Sequence, residues 1–120
     1  MSLCILAAAK TSIFAVSLFT LSWTHSVEKI EWQEDWKITD SQLEIVAARV
    51  QGSGAGMDPP EGSKFEGGWW VYKPNTLSVK ELLLSTSNTN LENWKICFNG
   101  SCQVLKKNNE RPIKIYPCKS

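Results

Sequence analysis

Histidine is almost missing from this chain: His25 is the only one among 120 residues. A site that needs two imidazoles is therefore excluded. That removes two-histidine zinc sites, the H-E-x-x-H motif and di-iron E-x-x-H pairs. An excess of charge of either sign is missing too. Thirteen Lys and Arg stand against twelve Asp and Glu, a formal charge of +1, so no basic footprint points to nucleic acid. A phosphate-binding G-x-x-x-x-G-K-[ST] loop and a G-x-S-x-G nucleophile elbow are both absent. The apolar N-terminus is interrupted at Lys10, Thr11 and Ser12. It falls short of the roughly 20 apolar residues that cross a bilayer as a helix, so no transmembrane span is expected.

What is present suits one folded domain over residues 1–120. Apolar residues make up 42% and charged residues 21%, which is neither a disordered nor a multi-span membrane composition. Two readings of the N-terminus stand. In one, residues 1–12 are part of an export signal with Ile13–Leu21 as its apolar stretch, although Lys10 is the only cation ahead of it and no A-x-A-like cleavage site follows. In the other, Leu3–Ala9 and Ile13–Val27 are strands that turn near Lys10–Ser12. The second segment alternates well: Phe19, Leu21, Trp23, His25 and Val27 fall on one face, and Thr20, Ser22, Thr24 and Ser26 on the other. The β core then runs over residues 13–118.

Ile30–Ile38 alternates in the same way, with Glu34 breaking an apolar row of Ile30, Trp32, Trp36 and Ile38. A turn at Glu28-Lys29 would set His25 opposite Trp32 and Trp23 opposite Glu34, with apolar rows matched along the pair. Glu-Lys is poor chemistry for a tight primed turn, which leaves a wider turn open. Leu43–Val50 reads as a strand with Leu43, Ile45 and Ala47 on one face, and Gly52–Gly62 as a long glycine- and proline-rich loop. Lys64–Tyr72 reads as a strand pair hinged at Gly67-Gly68, and Val79–Thr86 as a strand buried on both faces at Leu82–Leu84. Ile113–Tyr116 reads as an edge strand flanked by Pro112 and Pro117. The expected fold is all-β, a small antiparallel sandwich or barrel of about seven to nine strands.

The clearest local signal is Asn99-Gly100, a type I′ turn candidate inside Trp94–Leu105. It sets Cys97 opposite Cys102 as a non-hydrogen-bonded pair, with Cα atoms near 4.5 Å. That geometry favours a cross-strand disulfide over zinc ligation by four cysteines and one histidine. Cys4 and Cys118 lie at opposite ends of the chain. Either they bridge and tie the termini, or Cys4 is buried or cleaved and Cys118 is free. Two bridges would imply an oxidising compartment.

Several segments, in matching order, resemble a bacterial family called domain of unknown function 1850. They are Trp23-Thr24-His25-Ser26-Val27-Glu28-Lys29, Glu34-Asp35-Trp36, Gly52-Ser53-Gly54-Ala55-Gly56-Met57 with Pro59-Pro60, and Gly68-Trp69-Trp70. The C-x4-C hairpin fits the same pattern, and the likeness runs from about Phe19 to Leu105. The resemblance implies an all-β domain found beside, and sometimes fused to, permeases of tripartite ATP-independent periplasmic transporters of the TAXI subfamily. It implies a location in the bacterial envelope or periplasm, and no reaction.

Candidate binding residues are His25, Glu28, Lys29, Glu34, Gly54, Gly56, Met57, Trp69 and Trp70. His25 and Glu34 are expected within hydrogen-bond reach as a ligand-anchoring or pH-sensing pair, against the simpler reading of a core histidine. Gly52–Gly62 offers backbone amides to an anion, against a plain irregular crossover. Glu28 and Lys29 at a hairpin tip read most simply as a solvated face. Trp69 and Trp70 follow one another, so one must point away from the core and suits a partner surface. Ser26 and His25 point to opposite strand faces, a poor nucleophile–base pair. The expectation is a monomeric, non-catalytic accessory or binding module with no cofactor and no metal. The alternative is a stand-alone small-molecule sensor with a Trp-lined pocket at His25 and Glu34.

Overall fold

The computed structural model describes residues 2–7, 10–25, 29–39, 41–52, 62–74, 78–84, 91–105 and 112–119, with backbone alone at 25 and 91–93. In chain order the strands are β1 Ser2–Ala7, β2 Lys10–Phe14, β3 Leu18–His25, β4 Glu31–Ile38, β5 Leu43–Gln51, β6 Lys64–Glu66, β7 Trp69–Tyr72, β8 Ser78–Val79, β9 Leu82–Leu84, β10 Leu91–Phe98, β11 Ser101–Val104 and β12 Ile113–Cys118. They form two antiparallel sheets. The smaller has the order β2-β1-β12-β9; the larger runs β11-β10-β3-β4-β5-β7-β6, with β8 also on β5. Neither sheet closes into a barrel, and the fold is the all-β sandwich expected from the alternating pattern. Among the described residues there is no helix, hence none long and apolar enough to cross a membrane.

The core lies between the inner faces. Leu3, Ile5, Ile113 and Ile115 of the smaller sheet pack with Phe19, Leu21, Trp36, Leu43, Ile45 and Ile96 of the larger. More strands appear than expected because two long runs are cut where the chain passes between sheets. Ile13–Val27 is one such run: Phe14 ends β2 in the smaller sheet, Leu18 opens β3 in the larger, and residues 15–17 make the corner. A hydrogen bond from Val16 N to Phe14 O and the burial of Val16 hold that corner. Lys10–Ser12, expected as a turn, is instead part of β2, paired with Ile5–Ala7. Val79–Thr86 is cut in the same way. β8 pairs with β5, and β9 pairs with β12 in the other sheet. Leu83 points out of the smaller sheet, exposed to 59%, so only part of the leucine run is buried.

β12 is not an edge strand; it lies between β1 and β9. Among the described residues β9 pairs with Ile113–Ile115. At Pro117 the strand therefore has a partner on one side, which is the edge condition a proline tolerates.

The β3–β4 hairpin keeps the expected faces but slips by two residues. Trp23 lies opposite Trp32, Leu21 opposite Glu34 and Phe19 opposite Trp36. A slip of two preserves which side chains point inward. It also sets the indoles of Trp23 and Trp32 in a parallel stack, with centroids 6.3 Å apart and an interplanar angle of 4°. β5 carries a bulge against β4: Asp35 pairs with Ala47 and Trp36 with Ile45, leaving Val46 extra. The bulge reverses the alternation. Leu43 and Ile45 point inward as expected, but Ala48 and Val50 follow them rather than Ala47.

The other turns follow local chemistry. Asn99 and Gly100 have φ of 52° and 78°, the left-handed pair that a type I′ turn requires. Gly67-Gly68 makes the β6–β7 turn as expected. Gly52 is needed for another reason. A Cβ built there would lie 2.0 Å from Cδ1 of Trp70, so the indole ring occupies the space a side chain would take. Gly52→Ala should displace Trp70 and cost about 1–3 kcal/mol, as overpacked sites do. Urea unfolding with tryptophan emission reads both effects, and an unchanged midpoint and spectrum would refute the packing argument.

Candidate functional site

Strand alternation and the bulge together build a polar network on the outer face of the larger sheet. Thr20 of β3, Asp35 of β4 and Arg49 of β5 point to solvent across three adjacent strands. Thr20 Oγ1 donates to Asp35 Oδ1 at 2.7 Å. Arg49 donates through both terminal nitrogens to the Asp35 carboxylate, at 2.9 and 3.1 Å. Arg49 Nε donates to Gln33 Oε1, and Gln33 Nε2 donates to Glu31 Oε2 at 2.8 Å. This two-point fork is the strong form of an arginine–carboxylate pair. Burial disfavours the ionised form of Asp35. The hydrogen bonds from Arg49 and Thr20 and the charge of Arg49 outweigh it, and the carboxyl is held below its ordinary range. Asp35 is therefore ionised at neutral pH. Its contribution to stability is present above the ordinary aspartate range and is lost as pH falls through the depressed folded value.

The network floors a groove of about 480 Å³. Its rim carries exposed apolar side chains, Leu18 at 59% and Val46 at 40% exposure. The β10–β11 hairpin closes one end with Cys97, Asn99 and Gly100. Both disulfides are formed, Cys97–Cys102 and Cys4–Cys118, and no cysteine is left for zinc. The Cys97–Cys102 pair has Cα atoms 4.0 Å apart on directly opposed positions of the hairpin, as its turn chemistry implied.

Glu34 lies on the inner face, between Leu21 and Ala48. Trp36 Nε1 donates to Glu34 Oε1 at 3.2 Å. Burial pushes the Glu34 carboxyl above its ordinary range, and the Trp36 hydrogen bond offsets only part of that. Tyr72, next to Ala48 on β7, is pushed up by burial and then by the Glu34 charge. The sign for Glu34 is opposite to that for Asp35. The folded state holds its proton more tightly than the unfolded chain, so stability falls as pH rises through this window. Glu34→Gln keeps an oxygen acceptor for Trp36. It should raise stability at pH 7, with the gain vanishing below the ordinary glutamate range, and should lower the Tyr72 pKa. Denaturation at several pH values and ultraviolet titration of the phenol check both; a pH-independent effect would contradict the assignment.

The expected site residues scatter. The register puts Glu34 opposite Leu21, four residues along β3 from His25, or about 13 Å at the strand rise. The backbone of His25 instead pairs with Leu91 of β10. The structure does not bring His25 and Glu34 together. Lys29 is exposed, with φ of 57°. Glu28, Gly54, Gly56 and Met57 lie outside the described residues. Trp70 points inward beside Val50 and packs on Phe65, centroids 4.9 Å apart. Trp69, paired with Gln51, points to the outer side. Trp36 and Trp94 are buried, and Trp23 packs against the core.

Sequence reasoning missed Thr20, Asp35 and Arg49 as a group. A signal was available. By strict alternation Arg49 would share the inward face of Leu43, Ile45 and Ala47. An arginine in an apolar row implies either a buried partner or a bulge upstream of it, and the bulge is at Val46.

Fold and groove define a class: a small all-β sandwich held by two disulfides, with an open polar groove on one outer face. The chain belongs to the family described as Domain of unknown function (DUF1850), whose match covers residues 19–105, more than half its length. Comparison with curated proteins and with solved structures finds no match. The matched span runs from β3 through β11. It holds the whole outer-face network and leaves β1, β2 and β12 outside.

Proposed function

We propose that this protein is a non-catalytic binding module of the bacterial envelope, an accessory of a tripartite ATP-independent periplasmic transporter of the TAXI type, and that it docks through the outer face of its larger sheet. The observation that carries the reading is the groove over Thr20, Asp35 and Arg49, rimmed by exposed Leu18 and Val46. An arginine fork beside solvent-facing aliphatic side chains is the composition of a recognition surface. Two disulfides suit an oxidising, extracytoplasmic compartment. The transporter as partner rests on the family resemblance of the Trp23–Lys29 and Gly52–Met57 segments. A non-catalytic role fits Asp35, whose ionised carboxylate is engaged by two neighbours and has no proton to give at neutral pH. A stand-alone small-molecule sensor is the second reading. The groove has the volume of a ligand site, but the ladder sets Leu21 rather than a residue next to His25 opposite Glu34, which argues against a pocket built on that pair.

Co-purification with the transporter permease tests the first reading. Wild type should be retained and the Leu18→Asp/Val46→Asp variant should not, because both side chains are exposed and their replacement spares the core. Retention of neither protein would sink the proposal. Trp70→Ala is a poor probe, since the indole packs on Gly52 and Phe65 and its loss would disturb that packing.

A further inference from the structure

We propose that Cys97–Cys102 is an exchangeable disulfide, opened by a small thiol that lies in the outer-face groove and attacks Sγ of Cys97, while Cys4–Cys118 stays closed. Cys97 and Cys118 are both half-buried, and the two bridges differ in the exposure of their other halves and in the loops they close. Cys4 is buried, at 3% exposure, on β1 inside the smaller sheet. Cys102 is exposed on β11, an edge strand whose residues 101–104 all face solvent. A thiolate must reach a sulfur to attack it, so exposed bridges are the labile ones. The hairpin also survives opening. Its strands stay paired from Lys95–Val104 to Phe98–Ser101, and the bridge closes a sequence separation of only 5 against 114 for the other.

Strand order sets the direction of attack. β11, β10, β3, β4 and β5 are successive neighbours, and the bridge spans the first two on the outer face. The groove extends from Cys97 over Thr20, Asp35 and Arg49, on the side of Cys97 away from Cys102. A thiol in the groove therefore approaches the Cys97 sulfur from the side opposite the bond that breaks, the in-line path for displacement at sulfur. The incoming thiolate forms a new S–S bond to Cys97. The Cys97–Cys102 bond breaks, and its electron pair leaves on Cys102 Sγ, which is solvated on the open edge and takes a proton from water. A second thiol that attacks the mixed disulfide releases the oxidised thiol dimer and leaves both cysteines reduced.

This inference needs the groove and not the transporter, so its test uses the isolated full chain. Reduced glutathione is the probe, with rapid alkylation and peptide mass spectrometry as the readout. Cys97–Cys102 should open more than about tenfold faster than Cys4–Cys118. The trapped intermediate should carry glutathione on Cys97 and alkylation on Cys102. Equal rates, earlier opening of Cys4–Cys118, or a glutathione adduct on Cys102 would each overturn the proposal. So would a native protein that resists glutathione under conditions where the guanidinium-unfolded chain reacts.

Discussion

Replacing Cys4 and Cys118 together with alanine is expected to lower the unfolding free energy by about 4–5 kcal/mol. The bridge joins residues 114 apart in sequence, so the unfolded chain regains nearly all of its end-to-end freedom when it is lost. Alanine is preferred to serine because Cys4 is buried and the neighbouring Ser2 already has a buried hydroxyl with no hydrogen-bond partner among the described residues. The same model gives about 2 kcal/mol for the Cys97–Cys102 bridge, which closes a short loop. Urea titrations of the two double variants separate the cases. Equal losses would show that the bridges act through something other than the freedom of the unfolded chain. A domain with a typical 5–15 kcal/mol would keep its fold without the second bridge and come near the margin without the first.

Trp36→Ala should cost about 3–5 kcal/mol, the usual range for removing a buried tryptophan. Trp36 is 3% exposed and lies between Phe19 on β3 and Ile45 on β5, at the centre of the inner face. The loss has a second part. The indole N–H is the hydrogen-bond donor that partly offsets the burial of Glu34. Without it the carboxylate is more costly at neutral pH, so Trp36→Ala should be more damaging at pH 7 than below the ordinary glutamate range. Trp36→Phe separates the two contributions, since it fills most of the space and removes only the donor. If Trp36→Phe shows no pH dependence, the hydrogen bond contributes nothing to Glu34.

The elements that the sequence made legible are those decided by local chemistry. Asn99-Gly100 fixed a turn, and the turn fixed the cysteine register. The faces of β3 and β4 followed from alternation alone, because Thr, Ser and Gln cannot replace Trp and Leu inward without cost. What was not legible depends on distant partners. The β3–β4 register slips by two because Glu28-Lys29 does not dictate a tight turn, and the slip gains the Trp23–Trp32 stack. The corner at residues 15–17 reads as continuous strand, since Val16 is apolar and β-branched wherever it lies. The outer-face network needed the bulge at Val46, a feature of the β4–β5 pairing rather than of either strand alone. The His25–Glu34 pair failed with the register on which it rested.

Ser2 and Cys118 are partners in the β1–β12 ladder, and the bridge from Cys4 to Cys118 closes the segment between them into a covalent circle. A single proteolytic cut in any loop between them opens the circle without dividing the molecule. The nicked protein would run as one piece until a reductant is added. The smaller sheet thus acts as a clasp that keeps a damaged chain together.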